Sequence, residues 1–339
     1  MKFIRNIFTR KIYLPLRFSF YLSYRHLYST TQEENKKMAE ETTSFLRNMP
    51  AGLQEYQAEA IRKAIEGDYT TLDEVRNKRN QPVRLSSNVS TKMLTPTLCL
   101  YESKENKNIK LPLLIYLHGG GWTFGSINSC GSFCNAVAAS GCAKVLAVNY
   151  RLAPEHPYPA AIEDCIEAIK YAYEHIHELN ISKEHISIGG DSSGGNLALA
   201  SVLNMEHTYF IRSLILFYPV TKAFDDKSLS WKTYGKGYGL DANIMQEFNR
   251  SYTQGQNINN PLISVALCKK EKLKKIPHTL LITAGKDILH DQGYEFAINN
   301  KKRITYVNFP QSTHLFITVP GQNEAFKKAV NLTINFLSI

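Results

Sequence analysis

The run Ile186-Ser187-Ile188-Gly189-Gly190-Asp191-Ser192-Ser193-Gly194-Gly195-Asn196 carries the residue types of a nucleophile held on a sharp turn. An alternating apolar stretch leads in, and Leu197 to Leu203, rich in helix formers, leads out. Strand, tight turn and helix together push a serine oxygen out of a sheet. Side chains two positions to either side would collide there, so glycine is needed at Gly190 and Gly194. Of the two serines, only Ser192 has glycine at both places. A hydroxyl is a poor nucleophile at its own pKa. It needs a base, a group to orient that base, and donors for the oxyanion that forms on attack.

Candidates for each role follow strands. His118-Gly119-Gly120-Gly121-Trp122 comes directly after the apolar run Leu113 to Leu117. Glycines there let backbone N–H groups approach a substrate oxygen without an intervening side chain. Gly119, Gly120 and Gly121 are the candidate oxyanion donors, with Gly120 and Gly121 favoured and the N–H of Ser193 completing the hole. The competing reading is a phosphate loop or a plain turn, but no lysine follows in Walker fashion and no G-x-G-x-x-G is present.

The acid is Asp287, just past the predicted strand Thr279 to Ala284. Asp291 is its rival, although as a helix N-cap it would need no catalytic role. The base is His314, past the predicted strand Ile304 to Phe309; the other histidines fall in the leader, in motif loops or near polar helix edges, except His278, which only precedes a strand, and His290, near Asp287 but in the wrong element. The order Ser192, Asp287, His314 is that of α/β-hydrolases, not that of the other two serine-protease orders. Gly190-Asp191-Ser192-Ser193-Gly194-Gly195 also resembles the G-D-S-G-G of chymotrypsin-like proteases. An extra serine, a helix after it and a downstream acid and base exclude that all-β class.

The elements that must position these residues have an α/β rhythm. Strands are expected at Leu113–Leu117, Val145–Tyr150, Ile186–Gly190, Ser213–Tyr218, Thr279–Ala284 and Ile304–Phe309. Helices lie between them, one carrying Ile162, Cys165, Ile166, Ile169, Tyr173 and Ile176 at spacings of three and four. This predicts an α/β fold, a mostly parallel, doubly wound sheet with helices on both faces. Residues 42–66 read as short amphipathic helices broken at Pro50-Ala51-Gly52, placed as a helical lid. Residues 75–110 read as polar, with one strand at Thr97 to Glu102, and residues 221–260 read as a lid insertion. The domain scheme is a leader at 1–32, lid helices at 33–75 and a catalytic domain at 76–339.

The chain is 43% hydrophobic and 21% charged, with ample material for a core. Its net charge of +10 includes Lys2, Arg5, Arg10, Lys11, Arg17 and Arg25 in residues 1–32, which hold no acid; the remainder carries +4. That balance is no nucleic-acid footprint. The leader has transit-peptide features, which predict mitochondrial import; the alternatives are a basic tail on a cytoplasmic protein or a true start at Met38. No apolar run is long enough to span a bilayer. Six cysteines lack metal-site spacing, so reduced thiols inside the cell and no metal or cofactor are expected.

In these residues the chain resembles the hormone-sensitive-lipase-like branch of the α/β-hydrolases, which includes acetyl esterases and arylacetamide deacetylases. The resemblance covers residues 110–338. It is carried by His118 to Trp122, by Tyr150-Arg151-Leu152-Ala153-Pro154-Glu155-His156-Pro157-Tyr158-Pro159-Ala160, by the elbow, and by the Asp287 and His314 loops. It implies a carboxylesterase acting on small-molecule esters of small or medium acyl groups. It also implies a structural role for the proline-rich loop. Serine stands at Ser193 where that family has alanine, and isoleucine follows Asp287 where proline is common. An amidase or formamidase on the same residues, and a non-catalytic ligand-binding protein like the plant gibberellin receptors, are the alternatives. The oligomeric state, a homodimer among the options, is left open.

Overall fold

The computed structural model describes residues 28–338. The leader expectation therefore falls mostly on residues outside those described. Eight strands form one sheet: β1 (Val89–Thr95), β2 (Leu98–Ser103), β3 (Leu111–Leu117), β4 (Lys144–Val148), β5 (Ile181–Asp191), β6 (Ile211–Phe217), β7 (His278–Lys286) and β8 (Ile304–Thr313). Their order is β1-β2-β4-β3-β5-β6-β7-β8. The pairs β1–β2 and β2–β4 are antiparallel and the rest are parallel.

Alternation along the strands divides the core between the two faces. Leu113, Ile115, Leu117, Ile186 and Ile188 face one side, and Leu114, Tyr116, Ile215 and Ile282 face the other. Helices must cover both, since parallel strands connected by crossovers are buried on each face. Among the described residues the helices longer than one turn are α1 (Gln32–Asn48), α2 (Leu53–Ile65), α3 (Thr70–Arg79), α4 (Gly131–Ala139), α5 (Ala160–Glu174), α6 (Ser193–Asn204), α7 (Leu229–Tyr234), α8 (Ala242–Thr253), α9 (His290–Asn299) and α10 (Asn323–Leu337). Among the described residues no helix is long and apolar enough to cross a membrane.

Two elements differ from expectation. The first is β1, an edge strand in which only Val89 is buried, so its sequence shows no alternation to read. The second is α3, in the stretch read as polar beyond residue 75. It buries only Leu72 and Val75. Arg76 anchors it instead, donating to the carbonyls of Thr123 and Ala153 and pairing with Glu155 of the proline-rich loop. The first helix also starts earlier than residue 42. Thr31 and Glu34 form a reciprocal capping box, the Thr31 N–H donating to Glu34 Oε2 at 2.7 Å and the Glu34 N–H to Thr31 Oγ1 at 3.1 Å.

The amino-terminal helices and the 221–260 segment meet over the carboxyl edge of the sheet. There α2 packs on α8, and Arg62 of α2 reaches Glu247 of α8 at 3.3 Å. The ring of Tyr252 in α8 stacks on Trp122 of the glycine loop, centroids 4.5 Å apart. Ala58, Ile61, Leu72, Ile244 and Phe248 belong to the same buried cluster as one face of the sheet.

Candidate active site

Register brings three distant side chains to one point. β7 and β8 are neighbours, and Lys286 pairs with Thr313. Asp287 and His314 are the residues immediately after that pair, so each leaves its strand at the same level. The register shifts just before it, where Pro310 crosses Gly285 so closely that a Cβ on Gly285 would overlap the proline backbone. On the other side of β6, Ser192 follows β5 at φ +55° and ψ −118°, an uncommon conformation for a residue with a side chain. The Ser192 N–H donates to Phe217 O at 2.9 Å and the Val220 N–H to Ser192 O at 3.1 Å, fixing the turn against the end of β6. The flanking glycines are needed for packing. A Cβ on Gly194 would run into the carbonyl of Leu117 in β3, and one on Gly190 into the backbone of Gly194.

The result is a continuous chain of hydrogen bonds. His314 Nε2 is 3.0 Å from Ser192 Oγ, and His314 Nδ1 is 2.7 Å from Asp287 Oδ2. A carboxylate only accepts, so Nδ1 carries the proton and Nε2 is left as the acceptor facing the hydroxyl. The other oxygen of Asp287 accepts from the Leu289 N–H at 3.0 Å. All three side chains are buried. The His314 ring lies 4.3 Å from the ring of Tyr218, whose hydroxyl accepts from the Ile317 N–H. At that spacing the imidazole can take a proton from the serine as its oxygen attacks an electrophile.

Asp291, the rival acid, is elsewhere. It accepts from the Ser230 N–H at 2.9 Å and lies beside its neighbour His290, not His314. It is not the N-cap of α9, which is Leu289.

The glycine loop divides its donors. Gly119 was expected among those for the oxyanion, but its N–H donates to Asp191 Oδ1 at 2.9 Å and is taken. No described residue accepts from the N–H groups of Gly120, Gly121 or Ser193. Gly120 at φ +124° and Gly121 at φ +61° line the same cavity as Ser192 and His314. A Cβ on Gly121 would overlap the ring of Phe248, so cover and loop touch directly.

Asp191, Phe248 and Gln322 had no role assigned from sequence. Asp191 is buried beneath the loop, and its Oδ1 also accepts from Tyr116 OH at 3.1 Å. Burial pushes its carboxyl up to about 6, while the Tyr116 and Gly119 hydrogen bonds pull it back. His118, stacked on Tyr150 with centroids 4.2 Å apart, is held down to about 4 by burial. Gln322 donates to the carbonyl of His314 at 3.0 Å and fixes the histidine's backbone. Only its position past β8 was available as a signal.

A family model described as the alpha/beta hydrolase fold matches residues 114–318. Over 188 residues the chain is 35% identical to an arylesterase of Saccharolobus solfataricus, covering 55% of this chain and 60% of that protein. Among solved structures it is similar to fungal esterases from Rhizomucor miehei, with a TM-score of 0.71 and 26% identity over 84% of this chain and 96% of that one. A hyperthermophilic esterase of the archaeon Pyrobaculum calidifontis superposes with a TM-score of 0.70 and 27% identity, over 81% of this chain and 96% of that one. The chain spans little more than half the length of the curated relatives it matches. Matched over more than half of its own length, on the sheet order and elbow described above, the chain belongs to the alpha/beta hydrolase fold family.

Proposed function

We propose that this protein is a serine carboxylic-ester hydrolase acting on esters of small or medium acyl groups. The observation that carries the reading is the unbroken Asp287–His314–Ser192 hydrogen-bond chain beside the free N–H groups of Gly120, Gly121 and Ser193. In this reaction His314 Nε2 takes the Ser192 proton as Oγ bonds to the ester carbonyl carbon. The carbonyl electron pair moves onto oxygen, where the three N–H groups stabilise it. Collapse expels the alcohol, which takes the proton from His314 and leaves an acyl-serine. Water, deprotonated by the same imidazole, then releases the acid. Asp287 keeps the ring in the required tautomer and stabilises the imidazolium.

The cavity at Ser192 is tight and walled on one side by Leu240, Ile244, Met245 and Phe248, which supports short acyl groups over long ones. The arylesterase and esterase names of similar proteins support ester chemistry over amide chemistry. Purified protein is expected to turn over p-nitrophenyl esters, with the rate falling along an acyl series from acetyl to dodecanoyl. Ser192→Ala is expected to cut that turnover by about 10⁴-fold or more with an unchanged circular dichroism spectrum. Wild-type rates from the pure mutant would refute the assignment.

A further inference from the structure

The cavity over Ser192 holds a cation that, among the described residues, touches no carboxylate, although the Asp191 carboxylate lines the same space. Arg79, the last residue of α3, lines it together with Ser192, His314, Gly120 and Gly121. It also lines an outer cleft of about 290 Å³ with Phe45, Leu53 and Leu315, so it stands where the two spaces meet. Its guanidinium lies over the ring of Phe124, 5.3 Å from the centroid. Among the described residues Arg79 has no hydrogen-bond acceptor and no carboxylate within ion-pair distance.

Three other arginines, Arg62, Arg76 and Arg151, are held by carboxylates. Arg62 bonds to Glu55, Glu59 and Glu247, Arg76 to Glu155, and Arg151 to Asp164. A cation taken partly out of water without a partner is costly, and such groups are ordinarily paired. Burial lowers the pKa of Arg79, with Asp191 acting against that lowering. The guanidinium nevertheless remains charged.

Asp191 does not neutralise Arg79 by contact. Its Oδ1 is engaged by Tyr116 and Gly119 beneath the glycine loop. Gln57 of α2, only 5% exposed, lines both spaces with Arg79, and its amide has no hydrogen-bond partner among the described residues. A guanidinium fork and an amide NH₂ offer donors to the two oxygens of a carboxylate. A phosphate would bring a second negative charge with no second cation to meet it.

We propose that Arg79, with Gln57, binds a carboxylate carried by the ester, so that the substrates of this site are acidic esters. The carboxylate can sit on the acyl side, as in a half-ester of a dicarboxylic acid, or on the alcohol side, as in an acylated hydroxy acid. This rests on the hydrolase reading above and specifies its substrate class.

Two matched pairs test it: monomethyl against dimethyl glutarate, and 4-acetoxybutanoate against its methyl ester. In wild type the acidic member of one pair is expected to have the higher kcat/KM, and that pair identifies the side that bears the charge. Arg79→Met is expected to lower the acidic-to-neutral ratio by about 100-fold, mainly through KM. Arg79→Lys, which keeps the charge without the fork, is expected to lower it by about tenfold. It also carries the comparison if the methionine variant does not fold. Indifference of wild type to charge in both pairs, or an unchanged ratio in both variants, overturns the proposal.

Calorimetry separates this from the reaction itself. Ser192→Ala protein is expected to bind one of the two acids, and the Ser192→Ala/Arg79→Met protein to bind it at least about tenfold more weakly. That loss supports the carboxylate contact even if no ester is turned over, a result that would sink the hydrolase reading alone. Equal binding by the two proteins, or none by either, overturns the carboxylate site.

Discussion

At the residue scale, two buried ionisable groups beside the glycine loop pull stability in opposite directions with pH. Asp191 has its carboxyl raised from 3.8 to about 6 by burial. Between those values the folded protein keeps a proton that the unfolded chain releases, so this group's contribution to stability falls as pH rises through the window. By pH 7 the deficit is about 3 kcal/mol. His118 is lowered from 6.5 to about 4, first by burial and further by the charge of Arg79. The unfolded chain takes up a proton below 6.5 that the folded protein refuses, so its contribution falls as pH drops toward 4. The two slopes oppose each other in the wild-type protein. Asp191→Asn keeps an acceptor for the Gly119 N–H and removes one slope, so its melting temperature relative to wild type is expected to climb from pH 4 to pH 6. His118→Asn is expected to gain on wild type in the other direction, from pH 6.5 down to pH 4. Thermal melts across that range check both, and parallel curves would mean that neither group titrates as its burial requires.

At the element scale, a chain of hydrogen bonds runs from the first helix to His314. Gln322, buried just before α10, uses every polar valence it has. Its Oε1 accepts from Thr42 of α1 at 3.2 Å and from the Thr313 N–H at 3.0 Å, and its Nε2 donates to Thr313 Oγ1 at 3.1 Å and His314 O at 3.0 Å. Further ties join α1 to α10: Glu41 accepts from the Glu324 N–H at 2.8 Å, and Lys328 pairs with Glu34 at 3.0 Å. A helix far from Ser192 in sequence therefore holds the backbone that aims the imidazole. Gln322→Leu removes those bonds at nearly constant volume, strands the Thr313 N–H and leaves the His314 carbonyl with the Thr313 hydroxyl alone. Stability is expected to fall by about 2 kcal/mol. Ester turnover is expected to lose about tenfold in kcat with KM little changed, because the ring keeps Asp287 but loses its backbone support. Steady-state kinetics beside urea titration separate the two effects; a loss of stability with kcat intact would reduce Gln322 to a packing residue.

At the scale of the whole molecule, what the sequence made legible has a common cause. The central strands read correctly because each is a short apolar run buried on both faces, as in Leu113 to Leu117; Ser192 and Asp287 each follow the carboxyl end of such a strand, and His314 follows the half-buried edge strand β8. Sequence pattern fails where position is set by something other than burial. The edge strand β1 has one buried residue, and α3 is held by Arg76 more than by an apolar stripe. The choice among Gly119, Gly120 and Gly121 depends on where the Asp191 carboxylate turns, and Arg79 reaches the cavity only because a separate segment crosses the sheet's edge. The expected division at residue 75 between lid and catalytic domain can be tested by unfolding. Ala58, Ile61, Leu72 and Val75 lie in one cluster with Leu113, Ile115 and Leu197, which makes the amino-terminal helices part of the sheet's own core. A shared core unfolds as one unit. The two tryptophans suit the experiment: Trp122 is buried against Tyr252 of the cover, and Trp231 is buried in the 221–260 segment. Their fluorescence reports the cover, while far-UV circular dichroism reports the sheet and helices together. In urea the two signals are expected to share one midpoint and one slope. A fluorescence transition at clearly lower urea would instead mark the cover as a separable unit, able to open without the sheet, and the cavity over Ser192 would then be shaped by a moving wall rather than by the fold.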